Sequence, residues 1–264
     1  MMKSFFLKAY NSFSYLFFDP LGKIRQYRAL PVFLRNLLHY RSMPGSQKFP
    51  LRLSDLYVTT ADKYKQAGIA KGHYFFQDIW AAAKIHKKNI SKHTDVGSRI
   101  DGFVAHLLPF CQVDYIDLRK LESRVGNLHF IQGSILQLPF PDNSIDSLSC
   151  LHVIEHIGLG RYGDPLDPAG HENAATELTR VLKPGGSLYI GTPVGRERVC
   201  FDAHRVFHPN TVLKMFSDLE LSEFSLIDDK GETIIPHADI GIAAACHYGC
   251  GLFEFVKPAS LHNA

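Results

Sequence analysis

The chain has 264 residues, 45% of them hydrophobic, and a formal net charge of +3, which is enough for one full α/β domain plus an extension of several dozen residues. Its five cysteines are scattered and odd in number, which argues against a secreted disulfide framework and for a reducing, cytoplasmic setting. No apolar run reaches the roughly 18–20 residues of a membrane span, and no small-residue cleavage site follows the N-terminal aromatics, so neither a spanning helix nor a secretory signal is expected.

Charge is unevenly shared. Residues 1–48 hold eight Lys/Arg against one acid, Asp19, whereas the rest of the chain holds 21 Lys/Arg against 25 acids. Residues 3–18 place Phe5, Phe6, Ala9, Tyr10, Phe13, Leu16 and Phe17 at helical spacing. Asp19-Pro20-Leu21-Gly22 breaks that pattern, and Ile24, Tyr27, Leu30, Phe33, Leu34, Leu37 and Leu38 resume it. Pro31 is expected to kink or restart this second helix. The segment reads as a helical cap on the body. A basic aromatic helix pair on an anionic membrane surface, at the inner face of a membrane, is the sharper alternative.

Residues 49–92 read as a linker followed by a capping helix from His73 to about Lys88, with Phe76, Ile79, Trp80 and Ala83 on one face. From residue 93 the pattern alternates. Strands are expected at 93–97, 112–117, 127–131, 144–150, 186–191, 220–227 and 249–256. Helices are expected near 101–109, 119–124, 171–183 and 209–217. Such alternation predicts an α/β fold: a doubly wound, Rossmann-like, seven-stranded sheet over 93–264, its last two strands free to pair antiparallel at an edge.

In Asp95-Val96-Gly97-Ser98 a strand runs into a glycine turn, and a helix follows. Backbone can approach a ligand closely there and free N–H groups at the helix start face it, which makes a docking place for a nucleotide-like ligand. Asp117 lies twenty residues past Gly97, where an acid can accept hydrogen bonds from both hydroxyls of a ribose.

Four ordered segments then resemble the class I S-adenosylmethionine-dependent methyltransferases. They are Asp95-Val96-Gly97-Ser98, Ile116-Asp117-Leu118, residues 133–146 from Gly133-Ser134-Ile135 to Asp146, and residues 177–190 with the Pro184-Gly185-Gly186 turn. A narrower likeness is carried by Ser98-Arg99-Ile100-Asp101-Gly102, by 152–158 and by 160–168. It is to a poorly characterised domain family of nematodes and bacteria. The resemblance implies S-adenosyl-L-methionine as cofactor and Asp95, Gly97, Ser98, Asp101, Gly102, Asp117, Leu118, Ser134, Ile135 and His152 as its surroundings. The chain departs from the family pattern in having Arg99 and Asp101 at the second and third glycine positions, with Gly102 one residue late. Ser134 stands where an acid is common. Asp101 is assigned to the amino group of the methionine moiety.

Glu155 and His156 follow strand four, at the rim where strand C-termini open, and are the candidate catalytic pair. His156 is an ordinary near-neutral base. Arg161, Tyr162, Asp164 and His204 are the candidate acceptor-binding residues. Cys246-His247 with Cys250 suggests zinc only superficially, because no second cysteine pair accompanies it, and no metal is assigned. The expected acceptor is a small molecule or glycan, methylated on oxygen. Nucleic acid is not an expected partner, because the basic residues sit in an aromatic arm and the body is acidic. The competing reading is a non-catalytic binding protein that kept the fold and lost the donor site.

Overall fold

The computed structural model describes residues 20–59 and 66–259. The chain divides into two compact units, residues 1–69 and 70–264. In the first, helix α1 spans Pro20–Ser42, followed by 3₁₀ turns at Ser46–Lys48 and Leu53–Asp55. Pro20, Leu21 and Gly22, where a break is expected, all lie within α1, and Asp19 lies outside the described residues. Pro31 lies inside α1 without ending it, since an internal proline removes a single backbone donor and the flanking turns carry the helix on. The helix expected over 3–18 lies outside the described residues.

The second unit holds a seven-stranded sheet. Its strands are β1 (Lys92–Val96), β2 (Gln112–Asp117), β3 (Leu128–Gln132), β4 (Ile145–Leu151), β5 (Leu182–Val194), β8 (Glu220–Ile227) and β9 (Gly249–Val256), and their spatial order is β3-β2-β1-β4-β5-β9-β8. A separate hairpin, β6 (Arg198–Cys200) with β7 (His204–Val206), was not foreseen in the sequence. β1 to β5 pair in parallel, while β9 inserts between β5 and β8, antiparallel to both.

Alternation along the central strands sorts two cores. Leu148, Cys150, Leu188, Ile190, Phe253 and Phe255 face one layer, with Leu178 and Val181 of helix α4 (Gly170–Val181) and Val212 of α5 (Pro209–Met215). Leu151, Tyr189, Cys250 and Leu252 face the other, with Trp80, Ala81 and Ile85 of helix α2 (His73–Lys87). Between β1 and β2 on that side, a π-helical turn (Ile100–Val104) runs into the short helix α3 (Ala105–Leu107). A last short helix, α6, covers Ile240–Ala245.

The helix expected near 119–124 does not form, and residues 118–125 are loop. Of its apolar residues only Leu121 packs on the core while Leu118 and Val125 stay exposed, so little of a helical stripe is buried, and most of a helix's stability in a protein comes from such packing. Instead the Arg119 backbone N–H donates to the Asp117 carboxylate at 2.8 Å and closes the chain into a turn.

Candidate functional site

The chain reverses its winding between β1 and β4, which are adjacent in the sheet. The strand ends there leave a crevice, the usual ligand position of an open parallel sheet. A pocket of about 640 Å³, mouth included, opens at this point and is lined by Gly97, Asp117, Leu118, Arg119, Ser134, Ile135, His152, His156, Tyr162 and Asp164, among others.

Gly97 forms the floor at φ 72°, and a Cβ there would come within 3.2 Å of Val153 Cγ1 and Cγ2. Glycine meets both demands at once. Asp95 lies beneath the floor, fully buried, and accepts from Ser98 N at 3.0 Å, from Ser98 Oγ at 2.6 Å and from Ser149 Oγ. Burial pushes its carboxyl up to about 6. Ser98 Oγ in turn accepts from Leu151 N at 3.1 Å. Asp95 and Ser98 therefore buckle the turn to β4 and do not line the pocket. Asp101 points to solvent, paired with Arg99 at 3.2 Å, and Gly102 is packed against the Asp78 carboxylate of α2. The π-helical turn puts position 101 on its outer face, away from the expected ligand.

Asp117 stands at the rim with its carboxylate already occupied. It accepts from Arg119 N (2.8 Å), Nε (3.0 Å) and Nη2 (2.8 Å) and from Tyr115 Oη (3.1 Å). Although burial opposes it, the Arg119 bonds hold its pKa below the ordinary carboxylate value. Four donors fill the lone-pair sites of a carboxylate, so any ribose hydroxyl there must displace one of them. The Arg119 guanidinium also lies over the Tyr162 ring, 4.6 Å from its centroid, with Arg161 5.1 Å from the same ring. Arg119, a residue the sequence reading left out, thus joins the loop after β2 to the loop after β4 across the mouth.

His156 lies on the wall and is buried. Its Nδ1 donates to the Ala203 carbonyl at 2.6 Å, which fixes the proton on Nδ1 and leaves Nε2 unprotonated, 3.8 Å from the Glu155 carboxylate. Burial lowers its pKa below the ordinary value, so the ring is neutral at pH 7. Arg161 donates to the same carbonyl at 2.8 Å and is held behind His156. Glu155 is buried, does not line the pocket, and bonds His152 Nδ1 at 2.6 Å. Although burial opposes it, His152 holds the Glu155 carboxyl below its usual range. Its geometry is that of a group that positions His152. Asp164 lines the pocket, but its carboxylate accepts from the backbone of Gly158 (2.6 Å), Gly160 (3.4 Å) and Tyr162 (3.3 Å) and shapes the loop. His204 sits outside the pocket, 5.2 Å from the Tyr248 ring. Arg205, buried on β7, donates to Ile157 O at 2.6 Å and braces the segment after β4.

Behind the wall His152 meets His73, from the start of α2, and Cys250, from β9. His152 adopts φ 54°, a strained region for a non-glycine residue and one that clusters at functional sites.

The architecture is that of the class I S-adenosylmethionine-dependent methyltransferases. Among solved structures, the [4+2]-cyclase SpnF matches 69% of this chain and 82% of its own with TM-score 0.51 at 14% identity. The Burkholderia thailandensis 1,6-didemethyltoxoflavin-N1-methyltransferase, solved with S-adenosylhomocysteine, matches 69% and 78% with TM-score 0.51 at 14% identity. The family described as "Caenorhabditis protein of unknown function, DUF268" matches residues 136–234, from the loop after β3 to just beyond β8. In sequence the chain is similar to sterol 24-C-methyltransferase erg-4 of Neurospora crassa, 28% identical over 139 residues, which are 45% of this chain and 33% of that protein. It is also similar to the ubiquinone/menaquinone biosynthesis C-methyltransferase UbiE of Vibrio cholerae, 32% identical over 66 residues, 25% of this chain and 21% of that protein. The match spans a third or less of the length of these relatives.

Proposed function

We propose that the protein is an S-adenosylmethionine-dependent methyltransferase acting on a small molecule or glycan, with His156 as the base that takes the acceptor proton. One observation carries the reading: a single pocket brings together the Gly97 turn, Asp117, the Ser134-Ile135 loop and a neutral His156. The erg-4 and UbiE similarities and the S-adenosylhomocysteine bound to the Burkholderia protein support the same cofactor.

When bound, the cofactor supplies an electrophilic methyl group. The chain supplies the rest. Gly97 allows close backbone approach, Asp117 accepts from ribose hydroxyls once Arg119 moves, and Leu118 and Ile135 offer apolar walls to adenine, with Ser134 beside them. His156 Nε2 takes a proton, a step needed where the acceptor holds it tightly, as a hydroxyl does. Tyr162 closes the acceptor side, and positioning contributes up to roughly 7–11 kcal/mol in ideal cases. The cyclase among the structural neighbours shows that the fold also carries other chemistry, so the cofactor must be tested first. Calorimetric titration of the full chain with S-adenosylmethionine is expected to give one-site binding that S-adenosylhomocysteine competes away. A folded chain that binds neither is the non-catalytic protein instead.

A further inference from the structure

We propose that His73, His152 and Cys250 form a three-donor site for a zinc ion, behind the wall of the pocket. A ring nitrogen of each histidine and the Cys250 sulfur all lie within 4.8 Å of one another. Bond lengths of about 2.0–2.1 Å to nitrogen and 2.3 Å to sulfur set tetrahedral ligand atoms about 3.3–3.8 Å apart. The three donors therefore need to close by at most about 1–1.5 Å around an ion.

Four further features fit a metal. His152 Nε2 is buried and makes no geometrically formed hydrogen bond among the described residues, with the Cys250 thiol of the same cluster the group beside it, and a buried polar atom so placed normally costs stability. Its other nitrogen is bonded to the Glu155 carboxylate at 2.6 Å, and Thr192 Oγ1 donates to that carboxylate at 3.4 Å. A carboxylate behind an imidazole is the usual support of a metal-bound histidine, fixing its tautomer and orientation. Cys250 and His152 are buried while His73 is half-buried, so an ion has an entry path past His73. The three donors come from the start of α2, the turn after β4 and β9.

One thiolate and two imidazoles suit zinc among the common divalent ions. Three protein donors leave the fourth position open, the pattern of a reactive ion rather than a sealed structural one. His152 is shared with the pocket wall, so the ion sits one imidazole away from the acceptor space. Nothing in this site depends on methyl transfer.

The test uses the full chain and reads the metal itself. After dialysis against micromolar zinc and gel filtration, elemental analysis is expected to give about one zinc per chain. Cobalt added to metal-free protein is expected to give the visible bands of a tetrahedral thiolate-bound ion. His73→Ala, at the half-buried donor, should lose both signals while its circular dichroism stays native. Glu155→Gln should weaken zinc binding roughly 10–100-fold. A folded wild-type chain with no zinc and no cobalt bands overturns the site, as does His73→Ala binding zinc as tightly as wild type. Stoichiometric iron or copper in place of zinc overturns the choice of ion. Cofactor calorimetry on the same metal-free protein is read separately, so failure here and failure of the methyltransferase reading are distinguishable.

Discussion

Asp117 and Arg119 set the donor side of the pocket against each other. The Asp117 carboxylate is the group placed to hold a ribose, and Asp117→Ala should weaken S-adenosylmethionine binding by about 1.5–3 kcal/mol, the range for a hydrogen bond to a charged partner. Arg119 saturates that carboxylate before any ligand arrives. Its side chain is 59% exposed against 10% for Asp117, so the guanidinium can swing into solvent and leave the carboxylate to a ligand. Arg119→Met should thus bind the cofactor equally or up to about fivefold more tightly by calorimetry. Looser binding would instead make Arg119 a ligand of the cofactor. On the acceptor side, His156→Ala should lower kcat by roughly 10²–10⁴ with little change in cofactor affinity. The base must be deprotonated, and burial lowers its pKa. Wild-type turnover should therefore fall as pH drops through a value below 6.5, and the variant should lack that limb. Near-normal turnover in the variant would leave His156 a packing residue.

At the scale of the element, the glycine turn is held by its own strand and by β4. Ser98 Oγ donates to Asp95 and accepts from Leu151 N. Ser98→Ala removes one of the three donors to the Asp95 carboxylate and leaves the buried Leu151 N–H without its Oγ acceptor, and should cost about 1–3 kcal/mol, read as a lower urea midpoint at unchanged slope. The seven strands of the main sheet, the turn and the Gly97–Asp117 spacing were legible in the sequence because strand period and turn chemistry are local, whereas the short β6–β7 hairpin was not. The work of Asp95 was not, since its partner Ser149 is 54 residues away. Asp101 was misplaced because a π-helical turn rotates it outward, and spacing alone cannot distinguish π from α. The His73–His152–Cys250 cluster was hidden for the same reason as Asp95: the donors meet only when β9 inserts beside β5. In the other unit, α1 exposes Tyr27, Leu34 and Leu38 beside Arg35 and Arg41. No helix among the described residues is long and apolar enough to cross a membrane. If α1 rests on anionic lipid, each engaged Arg contributes about 1 kcal/mol. Co-sedimentation with phosphatidylserine vesicles should then fall with salt and with Arg35→Glu/Arg41→Glu. Full-length chain that stays in the supernatant at low salt would make the helix a structural cap.

Across the whole molecule, stability is tied to pH through the polar centre of the sheet. His93 on β1 is fully buried and bonds Ser147 and Ser149 of β4, both at 2.8 Å, holding the two halves of the sheet together at the point where the winding reverses. Burial lowers its pKa from 6.5 to about 3. The unfolded chain therefore takes up this proton first. The contribution of a neutral His93 is complete above pH 6.5 and is lost as pH falls towards 3, by at most about 1.4 kcal/mol per pH unit. Asp95, which shares Ser149, acts with the opposite sign. Its pKa is raised from 3.8 to about 6, so the folded state holds a proton that the unfolded state has released, and stability falls as pH rises across that window. The two partly offset one another between about pH 4 and 6, and a flat wild-type profile there would not count against either. The variant separates them. His93→Gln keeps a neutral hydrogen-bonding group but cannot titrate, so its urea-unfolding free energy should lose less than the wild type's on going from pH 6.5 to 4. The gap between the two profiles should open below pH 6.5 and widen towards pH 4. Profiles that stay parallel over that range would show that His93 carries no proton linkage, and that the sheet centre titrates through Asp95 alone.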